Sequence, residues 1–383
     1  MRDKAYLMIP GPTPVPPSVT GAMTAPIIGH RSEDFQVLHS GIIAKLQKLF
    51  QTQNEIYVLT SSGTGGMESA VANTVSPGDK VLTLVGGKFG ERWTELCRAY
   101  GAEVIEENFE WGTCVNPEVV KEQLAANPDI KVVFATQNET STAVVNDIES
   151  IGKVVHDTPA LLVVDGVSGV GGIEIKVDQW HVDILTTGSQ KSLMLPPGLA
   201  VQCISAKAWK VIEDNKSPRY YFDLRKARKQ YAKWNTTYTP AVSLFIGLNA
   251  ALDMMLAEGM DNVYARHKLL RDATRAALRA LGLQLVVNDA FASPVVTSVW
   301  APEGIGADDI RKVLLKEYGI TFAGGQAQLK NKIMRIAHMG YADKMDVIIA
   351  IAGLEMALAR MGYPVELGTG VKAAQQVFLE VRQ

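Results

Sequence analysis

Apolar positions along the chain follow two periods that alternate. Val37, Leu38, Ile42, Ile43, Leu46, Leu49 and Phe50 recur at helical spacing and predict a helix running to Phe50. Ile56 to Thr60 is then a short apolar run that predicts a strand, followed by a glycine-rich turn and a predicted helix from Gly66 to Val75. Lys80–Val85 predicts the next strand and Gly90–Tyr100 the next helix. Lys131–Thr136, Leu161–Asp165 and Asp183–Thr187 predict further short strands, with helix-length segments between most of them. Apolar runs without polar alternation belong to strands buried on both faces. The alternation therefore predicts an α/β domain over residues 21–261: a mostly parallel sheet with crossover helices on both faces.

The two ends of the chain read differently. Residues 8–17, MIPGPTPVPP, hold five prolines and cannot form a helix. They predict an extended, ordered arm over residues 1–20 that joins a second, smaller domain. That domain, residues 262–383, carries a predicted long helix over Val263–Leu281 and strands near Leu283–Val287 and Val295–Trp300. Helices are predicted at Ala307–Tyr318 and Met345–Met361, giving an α+β unit. No internal repeat or low-complexity segment interrupts this plan.

Composition narrows the function classes. Of 383 residues, 47% are apolar and 20% charged, as in an ordinary globular protein, and the formal charge of −2 gives no support to nucleic-acid or membrane-surface binding. No window approaches the ~18–20 apolar residues of a membrane span. The opening MRDKAYLMIPGPTP lacks the apolar core of a signal peptide. Three cysteines, Cys97, Cys114 and Cys203, stand far apart in no metal spacing, which suits a reducing compartment. Cytoplasm is the expected location.

Candidate chemistry lies at the ends of the predicted strands, where ligands bind in open α/β sheets. Ser61-Ser62-Gly63-Thr64-Gly65-Gly66 follows one strand and opens a helix, so its amides and the Thr64 hydroxyl can hold a phosphate. The same turn also reads as a plain connection, since it matches neither a Walker A loop nor GxGxxG. Phe89, among glycines after the next strand, can stack on a flat ring or pack on a helix. Gln137–Thr142 offers six polar side chains, as a binding loop or as a polar surface. Asp165 ends an apolar strand and needs a proton or a cation beside it. Lys191 lies 26 positions later, after Gly-Ser-Gln and before an apolar run, a setting that shifts a lysine toward the neutral amine. Arg335, in the apolar run Lys332–Ala337, should hold a carboxylate from protein or substrate. An acid and a lysine on neighbouring strand ends are what pyridoxal phosphate chemistry needs: a lysine for the cofactor's aldehyde and an acid for its ring nitrogen.

With these residues in hand, the chain resembles the class V aminotransferases of fold type I, most of all their alanine/serine–glyoxylate branch. The motifs that carry the likeness are PGPTPVP at 10–16, GHR at 29–31, SGTGG at 62–66, GKFGERW at 87–93 and ETST at 139–142. They continue with VDGVSGVGG at 164–172, GSQKS at 188–192, PPG at 196–198, TPAVSL at 239–244 and RIAHMG at 335–340. The resemblance implies that pyridoxal 5'-phosphate is the cofactor, that Lys191 forms its Schiff base and that Asp165 pairs with its ring nitrogen. It implies a phosphate site at Ser62, Gly63, Thr64, Gly65, Gly66 and Gln190, with Phe89 and Val167 on the two ring faces and Ser141 near the ring oxygen and substrate. It also implies Arg335 as the clamp for the substrate carboxylate and Gly11 as lining of a small pocket. Tyr238 and Thr239 are expected to reach the phosphate of a partner subunit, in a homodimer whose active site is shared. Gly169 stands where relatives can carry a second hydroxyl.

The reaction so implied is a ping-pong transfer of an amino group from a small amino acid, alanine or serine, to a 2-oxo acid, glyoxylate or pyruvate. Aminotransferases for 2-aminoethylphosphonate or ureidoglycine are alternatives within the family, and a non-catalytic scaffold subunit is one outside it. A cysteine desulfurase needs a late nucleophilic thiol, and no cysteine follows Cys203. A nicotinamide dehydrogenase would need a glycine fingerprint that the chain lacks.

Overall fold

Strand residues in the first two thirds of the chain divide by parity between two apolar clusters, and that division sets the layers. In the computed structural model, which describes residues 5–380, Val133, Ala135, Leu162, Val164, Leu185 and Val201 pack on one face. The helices Glu33–Phe50, Pro117–Ala126, Ile148–His156 and Val242–Glu258 cover that side. Val132, Phe134, Leu161, Val163 and Ile184 pack on the other, under the helices Gly63–Thr74, Lys88–Ala99 and Ala206–Asp214. Successive strand side chains point to opposite faces, so a sheet covered twice needs an apolar residue at every position.

In chain order the strands are β1 Tyr6–Met8, β2 Glu55–Thr60, β3 Lys80–Val85, β4 Glu103–Asn108 and β5 Val132–Thr136. A two-residue ladder, β6 Asn138–Glu139 with β7 Val144–Val145, precedes β8 Leu161–Asp165, β9 Ile184–Gly188 and β10 Leu199–Ile204. The last three are β11 Val296–Trp300, β12 Ile320–Gly324 and β13 Ile333–Ala337. The large sheet has the order β2-β10-β9-β8-β5-β3-β4. Only β10 runs against its neighbours; the rest of the ladder is parallel. Register places Thr136 beside Asp165 and Asp165 beside Thr186, with Gly188 opposite Ala200 and Thr60 opposite Leu199. The carboxyl ends of β2, β5, β8 and β9 therefore share one edge.

A second sheet has the order β1-β12-β13-β11, with β1 parallel to β12. The N-terminal segment thus contributes an edge strand to a sheet otherwise built after residue 295. The helices Met260–Ala280, Lys344–Arg360 and Thr369–Glu380 pack over it through Leu270, Ala277, Ile351, Leu354 and Ala374.

Several elements depart from the sequence-based expectation. Leu283–Val287 is no strand: it keeps a single bridge, Leu285 to Val299, because Leu283 and Val287 turn into different apolar clusters. Pro17 is the first residue of the helix Pro17–Ala22, a position whose N–H needs no partner. The final turn after Ala307–Val313, residues Leu314–Tyr318, widens to i→i+5 bonding. β4, with the sequence EVIEEN, carries charges that an edge strand tolerates and that hid it in an apolar scan.

The helix expected from Gly66 begins at Gly63, with Ser62 Oγ accepting the Gly65 N–H at 3.4 Å. Gly66 consequently faces the sheet and not a ligand: a Cβ there would lie 2.6 Å from Thr186 Cγ2 and 3.0 Å from the Ala200 Cβ. Overpacking of this kind costs about 1–3 kcal/mol. Gly66→Ala should lower stability by that amount in urea unfolding while leaving cofactor affinity nearly unchanged. The reverse result would return Gly66 to the binding site.

Candidate functional site

The shared edge of β2, β5, β8 and β9 opens into a cavity of about 100 Å³. Its lining comes from successive strand ends: Ser62, Gly63 and Thr64 after β2, Phe89 and Arg92 after β3, and Thr140 after the β6 strand that follows β5. Asp165, Val167 and Ser168 follow from β8, and Gln190 and Lys191 from β9; Met67 closes the set. Sequence separation is large, and the parallel register alone brings these groups together.

Asp165 is buried and accepts one hydrogen bond, from the Val167 N–H at 2.7 Å. Burial pushes its carboxyl up to about 6; the Val167 bond works against this, nearby Glu139 adds to it, and Arg92 and Lys191 partly offset it. Lys191 is half-buried, and desolvation brings its amine down to about 8. Asp165 resists that shift, while Arg335 and Arg92 reinforce it. Its Nζ donates to the Pro10 carbonyl of the N-terminal arm. Gly11, at φ +116°, lies so close that a Cβ would stand 2.6 Å from Lys191 Nζ. Thr13 then bonds the main chain of the same lysine, its Oγ1 donating to Lys191 O at 2.9 Å.

The turn after β2 is a helix N-terminus with free amides, which suits an anion. Thr64 Oγ1 accepts from Arg92 at 3.2 Å, and the Arg92 guanidinium sits 4.9 Å from the centroid of the Phe89 ring. Gly63 is required by Val167, whose Cγ2 would meet a Cβ at 2.8 Å. Gly65 has a similar constraint from Ser61 Oγ, at 2.0 Å. The buried Oε1 of Gln190 has no hydrogen-bond partner among the described residues.

Arg335 sits on β13, buried, with Nε donating to Gly324 O at 2.9 Å and one terminal nitrogen to Thr140 O at 2.9 Å. Among the described residues no carboxylate forms an ion pair with it. Burial lowers its guanidinium to about 10, against the pull of Glu139. The protein carboxylate that the sequence allowed for Arg335 is therefore missing, and Thr140 links the arginine to the cavity wall.

Besides Gly66, three expected residues lie elsewhere. Ser141 donates to Glu139 Oε1 at 2.5 Å and accepts the Lys88 N–H at 3.0 Å, so its hydroxyl is committed to the protein while Thr140 faces the cavity. Tyr238 and Thr239 line a separate pocket with Thr60, Tyr221 and Thr237, outside the cavity of their own chain. Gly169 brings no hydroxyl, and Ser168, one residue earlier, lines the cavity and bonds Thr140 Oγ1 at 2.5 Å. A Cβ at Gly169 would lie 2.3 Å from Gln137 Oε1, so a larger residue there displaces the Gln137 side chain.

Two roles were not read from the strand ends. Glu139 is buried and accepts from the amides of Phe89 (3.1 Å), Gly90 (3.0 Å) and Ser141 (3.1 Å), which pins the Phe89 loop; burial pushes its carboxyl up against those bonds. Arg92 lines the cavity and forms no ion pair among the described residues. Its only sequence signal was a place inside GKFGERW.

A family model described as aminotransferase class-V matches residues 5–348. The chain is 44% identical to the "Soluble hydrogenase, small subunit" of Synechococcus sp., over 98% of this chain and 99% of that protein. It is 41% identical to the L-aspartate–glyoxylate aminotransferase of Paracoccus denitrificans (98% and 96% covered) and 39% identical to the serine–glyoxylate aminotransferase of Methylorubrum extorquens (98% and 96% covered). Its fold matches the crystal structure of the ureidoglycine–glyoxylate aminotransferase of Bacillus subtilis with a TM-score of 0.95 at 32% identity, covering 99% of each chain. The cofactor of such proteins is pyridoxal 5'-phosphate, and the residues fit it. A buried acid with one hydrogen bond suits a ring N–H, a helix N-terminus suits the phosphate end, and a lysine brought to about 8 suits an aldehyde.

The Asp165 shift has a sign that can be checked. Between the ordinary 3.8 and about 6 the folded, cofactor-free chain holds a proton on Asp165 that the unfolded chain releases, so stability falls as pH rises through that window. The full effect is on the order of 2–3 kcal/mol. Asp165→Asn should remove that part of the slope, read as the difference between the two proteins in denaturant titrations from pH 4 to 7. Parallel curves for both proteins would show that Asp165 titrates normally.

Proposed function

We propose a reaction on one premise: this chain belongs to the aminotransferase class-V family, and it is a pyridoxal 5'-phosphate-dependent aminotransferase. The proposed donor is a small amino acid, alanine or serine, and the proposed acceptor is glyoxylate or pyruvate, in a ping-pong sequence. One observation carries the reading. Lys191 and Asp165 line one cavity, and Thr140 on its wall accepts from Arg335, whose guanidinium pairs with no carboxylate among the described residues. Small size is supported by Gly11, which presses the arm against Lys191 and leaves no space for a side chain. Names of relatives support glyoxylate as acceptor.

When bound, pyridoxal phosphate supplies an aldehyde carbon to amines and a ring that accepts electrons. The chain's residues do the rest. Arg335 offers paired N–H groups to the donor's α-carboxylate, a geometry that fixes the Cα–H direction. Lys191 Nζ, whose proton burial makes easier to release, would take the Cα proton and return it on the other side of the transfer. Asp165, a buried carboxyl, would hold a proton on the ring nitrogen. Pro10 O and Gly11 hold Nζ in position and exclude water from that side.

A second reading, aspartate as donor, has one observation behind it: Arg92 lines the cavity, forms no ion pair among the described residues and can receive a second carboxylate. No cysteine lines the cavity, which disfavours the desulfurase chemistry of more distant folds.

We propose that the assembly is a homodimer with a shared site. Tyr238 and Thr239 lie outside their own chain's cavity, beside exposed Tyr220, Tyr221 and Trp234, an aromatic surface that suits burial against a second copy.

Lys191→Ala should bring transamination to background and abolish the visible absorbance of the lysine-bound cofactor; full turnover in that variant ends the proposal. Steady-state rates for alanine, serine and aspartate against glyoxylate and pyruvate separate the donor readings. Arg92→Gln should raise KM for aspartate alone if Arg92 receives its side chain. Dilution below the dimer's dissociation constant should release cofactor and activity together, and a fully active monomer would refute the shared site.

A further inference from the structure

Behind the lysine, two consecutive residues of the helix Met260–Ala280 grip one glycine. His267 is fully buried, and its Nδ1 bonds the Val263 carbonyl one turn earlier at 2.7 Å. That bond puts the ring proton on Nδ1 and leaves Nε2 as an acceptor, which receives the Gly340 N–H at 3.0 Å. Arg266 holds the other side of the same residue, donating to Gly340 O at 3.0 Å and Ala342 O at 2.9 Å. Its remaining N–H groups are fixed by the Glu258 carboxylate at 2.7 and 3.1 Å. Both main-chain groups of Gly340 are therefore held by neighbours on one helix.

Gly340 is where the small sheet meets the lysine loop. At φ +69° it lies so near that a Cβ would stand 3.2 Å from Lys191 O, 3.2 Å from Met194 Cγ and 3.5 Å from Ser192 Cα. Gly172 touches both parties: a Cβ there would lie 2.9 Å from Ser192 Oγ and 3.2 Å from His267 Cδ2. Gly340 also closes the segment that begins at Arg335 on β13. Thr13 fixes the Lys191 carbonyl from the arm, and Gly340 supports it from below.

We propose that His267 is a positioning residue for Lys191: through Gly340 it sets the height of the lysine loop and ties that loop to the strand carrying Arg335. The proposal rests on Lys191 being the cofactor lysine. Burial pushes the His267 imidazole down to about 4, with Arg266 adding to the effect, so the acceptor nitrogen is present throughout the working range. The titratable and charged groups facing it are Arg266 on its own helix and His338 after β13; His338 bonds Thr297 Oγ1 at 2.9 Å and is pushed down to about 3.

The test uses the holoenzyme with His267→Ala, which removes the acceptor, and His267→Gln, whose amide oxygen can replace it. Leu278→Ala serves as a control, because it hollows the same small-domain core without touching Gly340. The readouts are kcat, KM and the pH midpoint of the visible absorbance of the lysine-bound cofactor. A misplacement of the order of 1 Å at a reacting group costs up to roughly 100-fold. His267→Ala should lower kcat by roughly 10- to 100-fold with KM little changed, and shift the absorbance midpoint. His267→Gln should recover most of both, and Leu278→Ala should lower thermal stability with neither change. If His267→Ala does not fold, Gly340→Ala gives the same readouts, since its Cβ pushes on Lys191 O from the same side. Wild-type kcat and midpoint in a folded His267→Ala or Gly340→Ala protein overturn the proposal, as do losses that merely track stability. A wild type without lysine-bound cofactor would sink the lysine reading itself, a result distinct from an indifferent His267 variant.

Discussion

Lys191 and Asp165 share one enclosed space while each is bonded to backbone and not to the other. Asp165 receives the Val167 N–H, and Lys191 reaches the Pro10 carbonyl. Neither contact neutralises a charge, so burial shifts both groups toward their uncharged forms, the acid up and the amine down. A direct ion pair would quench both groups and leave nothing for a ligand. The rest of the structure can be understood as holding these two groups close to each other and apart.

The parallel sheet supplies the closeness. Adjacent strand ends advance in register, and each turn that follows adds a side chain to the same edge. The separation comes from the layers around it. Pro10, Gly11 and Thr13 draw the lysine toward the arm, and β1 anchors that arm by pairing with β12. Glu139 does similar work on the far wall, where one buried carboxylate collects amides from Phe89, Gly90 and Ser141. Such a carboxylate tolerates burial because several N–H donors surround it, and in exchange the loop that carries Phe89 and Arg92 is held in place.

Glycines mark the places where these layers touch. Gly63 admits Val167, Gly66 admits Thr186, Gly11 and Gly340 admit the lysine loop from two sides, and Gly172 admits Ser192. At Gly63, Gly66, Gly11 and Gly172 the contact is too short for a Cβ, and at Gly340 it is tight at 3.2 Å, so packing constrains the residue type at each. A glycine-rich motif next to a site is thus part binding surface and part hinge of assembly.

Local order in the sequence determined the periods, the alternation that gives a doubly covered sheet, and the polar residues ending apolar runs; Asp165, Lys191 and Arg335 were legible because a charge in an apolar run is costly and must have a use. Gln190 and Thr64 were legible through position beside those runs. What each group touches was decided only by the tertiary structure. The arm meets the lysine across 178 to 181 residues of chain, and Arg335 meets Thr140 across 195. No spacing rule spans such distances, because they depend on strand order and register. Ser141 therefore went to Glu139 and Gly66 to the sheet, while Arg92 and His267 gained roles that composition and periodicity do not encode. Burial patterns are properties of neighbours in the chain; a site is a property of neighbours in space.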